Sequence, residues 1–183
     1  MDSDFAEFDI TLRDGRAVQI RAVRPADEAE ILQAFDRLSA DARYMRFMHN
    51  VREPNLERVR KVLASFPESG LGIVATVPAA DGIDVVGSAM FVIGNDRTTC
   101  EFAITVAADF GGAGLATALM TALIDAAKRR GLAEMDGFVL AQNKPMLRLA
   151  ARLGFDIAPD PEDRTVRLCR LRLGATQASG KLP

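Results

Sequence analysis

The sequence predicts a mixed α/β fold, read as one domain over residues 1–173. Three observations predict it: three strand-like segments between residues 70 and 106, a glycine-rich turn feeding a long amphipathic helix, and helical periodicity through much of residues 28–66. The chain has 183 residues, 49% of them hydrophobic and 26% charged, which suits one sizeable core and not a disordered chain. A formal net charge of −2 disfavours a strongly basic nucleic-acid binder. Charge or glycine breaks every apolar run before the roughly 20 residues that a spanning helix needs. The acidic start MDSDFAEFD is unlike a secretion signal. A cytoplasmic protein with no membrane or nucleic-acid partner is the expectation.

Residues 8–12 and 17–23 alternate apolar and polar positions around Asp14–Gly15, predicting a peripheral β-hairpin. Ile31, Leu32, Phe35 and Leu38 lie on a helical stripe that ends near Ser39. A short helix over 40–48 and another from Pro54 to Phe66 follow. GLGIVATV, residues 70–77, reads as a strand stopped by Pro78, with a loop at Asp81–Gly82. Segments 85–93 and 99–106, joined by Gly94–Asp96, complete an antiparallel meander. After Gly111–Gly114, Leu115, Leu119, Leu123 and Ala127 share one side of a helix that Gly131 ends. A strand at 135–141, a short helix over 144–154 with Pro145 in its first turn, and strands at 155–158 and 165–173 close the domain. Residues 174–183 read as a frayed tail.

The turn Gly111–Gly112–Ala113–Gly114 carries the strongest chemical signal. Small residues there expose main-chain N–H groups where a helix presents its positive end, which makes a cradle for a diphosphate. A tight packing turn can use the same residues for steric reasons. No GKS or GKT follows, so the turn is not a P-loop, and the meander context is not that of a dinucleotide β-α-β unit. One histidine and two cysteines, Cys100 and Cys169, supply no structural zinc set, and no metal is expected. Both thiols are expected to be reduced and packed in the core.

Three features together, CEFAITVAADFGGAGLATALM, AQNKPMLRLAARLGF and the order of the strands around them, resemble the GCN5-related N-acetyltransferase superfamily over most of residues 17–171. RAVRPADEAEILQAFDRLSADARYMRF adds a similarity to the acetyltransferase domain of bacterial protein lysine acetyltransferases. The resemblance implies a mixed, mostly antiparallel sheet flanked by helices. In it the strands at 99–106 and 135–141 splay apart around the pantetheine arm of acetyl-CoA, beside Ile104 and Val106. It assigns the pyrophosphate to Gly111, Gly112, Ala113, Gly114, Leu115 and Ala116. The Gln or Arg that usually opens this loop is absent here. Asn143 matches a cofactor-orienting asparagine, although it can equally cap the following helix.

An amine attacks a thioester only when neutral, and a free lysine has a pKa of about 10.4, so a base must take its proton. Glu101 matches the catalytic glutamate of related enzymes; a structural ion pair or a water-facing carboxylate is its alternative. The resemblance implies direct transfer from acetyl-CoA to a primary amine, with a protein lysine as the preferred acceptor. A small-molecule amine acetyltransferase and a noncatalytic acyl-CoA sensor are the alternatives. The tyrosine that many relatives use as general acid is replaced by Phe155, and Tyr44 is the only tyrosine. His49 reads as a surface or structural residue. The basic run from Arg43 to Lys61 reads as a solvated face, and Met45, Phe47 and Met48 as packing between helices. Homodimerisation is left open.

Overall fold

The computed structural model describes residues 5–49 and 52–174. Eight strands form one sheet in the order β1-β2-β3-β4-β5-β6-β8-β7. They are β1 (Phe8–Thr11), β2 (Ala17–Ala22), β3 (Gly70–Ala79), β4 (Gly82–Ile93), β5 (Thr99–Val106), β6 (Glu134–Leu140), β7 (Asp156–Pro159) and β8 (Val166–Arg172). Every neighbouring pair is antiparallel except β5 and β6, which run parallel. The sheet is therefore mixed and mostly antiparallel, as expected. The predicted tail falls, apart from Gly174, outside the described residues.

Five helices flank the sheet: α1 (Glu28–Asp36), α2 (Ala40–Phe47), α3 (Leu56–Ala64), α4 (Leu115–Arg129) and α5 (Lys144–Arg152). Their ends follow from capping chemistry. Ser39 and Asn55 accept the N–H groups of Ala42 and Arg58 at the starts of α2 and α3. Gly131, with φ of +72°, follows the last residues of α4 in the left-handed region. Leu115, Leu119, Met120, Leu123 and Ala127 of α4 are fully buried and join Ile20, Ile73 and Phe91 of the sheet in one core. The same core takes in Cys100 and Cys169, both free thiols.

One expectation is corrected. Pro78 does not stop β3, which continues through it to Ala79 and pairs with β4 across a two-residue turn, Ala79 opposite Gly82. The reason is edge chemistry: β2 pairs with β3 only as far as Thr76, so Pro78 has a strand neighbour on one side. The N-terminal hairpin is peripheral, as expected, and it also touches the glycine turn. It forms the sheet edge beside β3, and the Arg13 N–H at its turn donates to the Ala113 carbonyl, 3.1 Å away.

A buried ion pair ties the hairpin to α1. Arg21 donates two bonds to Asp27, at 2.8 and 2.7 Å, and Asp27 also accepts the Arg24 N–H at 2.7 Å. Burial raises the Asp27 pKa, but the hydrogen bond from Arg21, with help from Arg24, outweighs it and holds the carboxyl below its ordinary value.

Candidate active site

Parallel pairing between β5 and β6 is confined to Thr99–Glu134, Cys100–Met135 and Glu101–Asp136. From Phe102 onward the two strands separate, leaving the β6-facing edge of β5 without a strand partner. The Phe102 ring fills the base of this fork. It packs edge-on against Phe155, with centroids 5.3 Å apart, and covers Gly137 of β6, where a Cβ would overlap it. A glycine inside a strand thus permits a close aromatic approach exactly one residue past the last parallel pair.

Above the fork lies a cleft of about 230 Å³, walled by α2 on one side and by β5, β6 and the start of α5 on the other. Glu101, Ile104, Val106 and Asn143 all line it. Glu101 is exposed on the strand face opposite buried Cys100 and Phe102, so its carboxylate meets solvent and the cleft together. Ile104 and Val106 are half-buried and supply an apolar wall. Asn143 caps α5, its Oδ1 accepting the Met146 N–H at 3.3 Å, while its side-chain NH2 has no acceptor among the described residues.

The glycine turn follows β5 through a 3-10 turn, Ala108–Phe110. The Gly111 N–H donates back to the Ala108 carbonyl, so it is engaged within the turn. The N–H groups of Gly112, Ala113, Gly114, Leu115 and Ala116 have no acceptor among the described residues. Gly112 and Gly114 have φ of +73° and +97°, which orients successive N–H groups outward at the start of α4. Nothing stands within 4 Å of where a Gly112 Cβ would sit, so the approach is open. These donors fit a diphosphate.

A cation from another element stands beside this turn. The Arg13 Nε lies 3.6 Å from the position of a Gly114 Cβ, and the side chain is exposed. Arg16 secures this turn of the hairpin: it pairs with Asp14 at 2.6 Å, donates to the Asp109 carbonyl at 2.8 Å and stacks on Phe110 at 3.7 Å. Sequence spacing gave no sign of this, since about a hundred residues separate Arg13 from the loop.

Residues of the basic run divide in space. Arg60 pairs with Glu28 at 2.6 Å, and Arg43 donates to the carbonyls of Arg52 and Asp36. Arg46 instead lines the cleft with Glu101, as do Met45 and Met48. Burial pulls the Arg46 pKa below the ordinary arginine range, opposed by the charge of Glu101 and reinforced by that of Arg58. Its signal was faint but present: Ala42, Met45 and Arg46 share a face of α2, and all three line the cleft. Phe47 packs against Phe35, 5.7 Å between centroids, as a packing residue should. His49 is exposed and is not among the lining residues, and Arg148 and Arg152 are exposed on α5.

The thiols are poor nucleophile candidates. Burial, with a smaller contribution from Asp136, pushes the Cys100 pKa up to about 12, and burial alone pushes Cys169 up to about 11. Among the described residues no group of acidic, histidine and cysteine side chains can hold a metal ion, and no helix is long and apolar enough to cross a membrane.

Known proteins share this architecture. The acetyltransferase (GNAT) domain family matches residues 18–156. Acetyltransferase PA5475 of Pseudomonas aeruginosa is 33% identical over 163 residues, covering 89% of this chain and 88% of that protein. Acetyltransferase Pat of Mycolicibacterium smegmatis is 30% identical over 146 residues, or 79% of this chain, which spans only 43% of that longer protein. Among solved structures, the GNAT domain of S. lividans PAT superposes with a TM-score of 0.82 at 20% identity, covering 91% of this chain and 96% of that one. The putative acetyltransferase yncA of Salmonella typhimurium, solved with its cofactor acetyl-CoA, has a TM-score of 0.70 at 23% identity, with coverage of 91% and 100%. The two structural likenesses speak for the fold, and the profile and the Pseudomonas relative speak for kinship: this chain belongs to the GNAT acetyltransferase family.

Proposed function

We propose that the protein transfers an acetyl group from acetyl-CoA to a primary amine, most suitably a protein lysine ε-amine, by direct attack at this cleft. The observation that carries the reading is the continuity of the site. Outward N–H donors at Gly112–Ala116 lead into an open strand edge, and that edge begins beside an exposed carboxylate, Glu101. The diphosphate of the donor rests on the turn, with Arg13 alongside it. The pantetheine arm runs along Ile104 and Val106 in the fork, near the free NH2 of Asn143.

Glu101 takes a proton from the acceptor ammonium, directly or through a water. The nitrogen lone pair then forms the C–N bond at the acetyl carbonyl, whose oxygen becomes an oxyanion that the unpaired edge of β5 can receive. Collapse breaks the C–S bond, CoA leaves as a thiolate, and the second nitrogen proton passes to it or to solvent. Holding donor and acceptor in one cleft removes the entropic cost of their encounter. An acyl-cysteine route is opposed by the raised pKa of buried Cys100.

The Pseudomonas and Mycolicibacterium relatives support acetyl transfer by their names, and the resemblance of residues 21–47 to bacterial protein lysine acetyltransferases supports a protein acceptor. The test is CoA release and acetyl incorporation across lysine peptides, whole proteins and small amines, for the native chain and Glu101→Gln. Transfer to lysine substrates, with kcat falling about 100-fold in Glu101→Gln while acetyl-CoA still binds, is the expected result. Binding of acetyl-CoA without transfer to any amine defeats the reading. Robust transfer confined to small amines replaces the protein acceptor with a small-molecule one.

A further inference from the structure

Glu101 and Arg46 are the only charged side chains among the described residues lining the cleft. They do not pair: the Arg46 guanidinium makes no ion pair and no hydrogen bond among the described residues, and its recorded contact is with the face of Phe47, at 4.9 Å. Arg60 of the same run is hydrogen-bonded to Glu28, and Arg43 donates through its two terminal nitrogens while its Nε is buried without an acceptor. Arg46 is half-buried, and its guanidinium offers five donors in a planar fork that no protein acceptor occupies among the described residues. Arg58 adds a like charge nearby, so this part of the cleft favours an anion over a cation.

We propose that Arg46 receives a carboxylate carried by the acceptor, so that the preferred acceptors bear a carboxylate close to the reacting amine. This rests on acetyl transfer at the cleft and adds the class of acceptor. The charge order supports an acceptor over a donor. An arriving amine is an ammonium and is drawn to Glu101, an attached carboxylate is drawn to Arg46, and the two charges of such a ligand match the two charges of the cleft lining. A bidentate carboxylate would satisfy the fork, which a lysine in the same place could not do. Free amino acids carry this pairing of groups, and so does a lysine flanked by an acidic residue.

The test compares kcat/KM with acetyl-CoA for two matched pairs of acceptors. One pair is an α-amino acid and its primary amide; the other is a lysine peptide with Glu or Gln beside the lysine. In the native protein the carboxylate member of at least one pair is favoured roughly 10- to 100-fold, the range of a charge-assisted hydrogen bond. The ratio falls to within about threefold of unity in Arg46→Gln and is intermediate in Arg46→Lys, which keeps the charge and loses the fork. A native ratio near one, or a ratio unchanged in Arg46→Gln, overturns the proposal. If Arg46→Gln does not fold, as judged by thermal unfolding, Arg46→Lys carries the comparison: a reduced, intermediate ratio supports the proposal and an unchanged ratio overturns it. A succinyl-CoA arm identifies the source of the carboxylate: loss of a preference for succinyl-CoA over acetyl-CoA, with the acceptor ratio unmoved, puts the anion on the donor and overturns the proposal. Transfer without acceptor preference defeats this inference alone, whereas absence of all transfer defeats the function it rests on as well.

Discussion

Gly137→Ala tests whether the fork between β5 and β6 depends on the Phe102 ring lying over a bare backbone. The added methyl group overlaps that ring, and neither side has room to yield. Phe102 is 6% exposed and held by Phe155, itself 5% exposed, while Gly137 is fixed opposite Cys169 in the β6–β8 ladder. Relief therefore requires lifting Phe102 off Phe155 or prying apart the three parallel pairs at Thr99–Glu101. Overpacking of this kind costs about 1–3 kcal/mol. The upper end applies to a locked ring, and the lower backbone entropy of alanine in a strand returns about 0.5–1 kcal/mol. The net loss of about 2 kcal/mol lowers Tm by roughly 4–8 °C in a chain of this size. Thermal unfolding measures it, and KM for acetyl-CoA should rise with it because the fork shifts. Phe102→Leu destabilises the native chain but relieves Gly137→Ala, so the double variant is more stable than additivity allows, by about 1–2 kcal/mol. A Gly137→Ala protein that melts at the native temperature, or strict additivity in the double variant, refutes the reasoning.

Arg13→Ala should raise KM for acetyl-CoA about fivefold, more than it lowers kcat, because it removes an exposed cation worth about 1 kcal/mol; the difference should shrink as salt rises, and an unaltered KM at low salt rejects a role in diphosphate binding. Asp27→Asn leaves Arg21 buried without its counter-charge, and denaturant unfolding should show a loss of about 3–5 kcal/mol. The folded pKa of Asp27 lies below its unfolded value, so its contribution is present above about pH 4 and is lost as pH falls through the folded pKa. The acid limb of the native stability curve should flatten in Asp27→Asn, and an unchanged limb counts against the pair. With pKa values pushed up to about 12 and about 11, Cys100 and Cys169 should resist iodoacetamide at pH 8 in the folded protein and react in denaturant. An acetyl adduct on Cys100 after incubation with acetyl-CoA, seen by mass spectrometry, would contradict direct transfer.

Local chemistry wrote most of the fold into the sequence. The α4 stripe buries the residues its periodicity selects, and Ser39 and Asn55 cap where short polar residues precede apolar runs. Pro78 misled because a missing N–H ends a strand only when that N–H has a partner to lose, and whether it does depends on where β2 stops. Gly137 within MDGFVLA carried a readable hint of close approach, but the ring that approaches it comes from a strand more than thirty residues earlier. The general rule is that periodicity reports which face of an element is buried, and cannot report what lies against it.

The candidate site divides along the same line. Its backbone parts were legible, since glycines that expose N–H groups at a helix start must be contiguous in the chain. Its cations were not. Arg13 reaches the turn because the hairpin is the far edge of the sheet yet bends its tip to Ala113, and Arg46 faces Glu101 because α2 crosses the fork. In the sequence both arginines look like ordinary surface charge. Only the presence or absence of partners in space separates them from Arg60, whose Glu28 neighbour lies 2.6 Å away. An arginine already paired has little left to offer a ligand, whereas one left unpaired beside a cleft keeps its whole fork of donors for an anion that arrives.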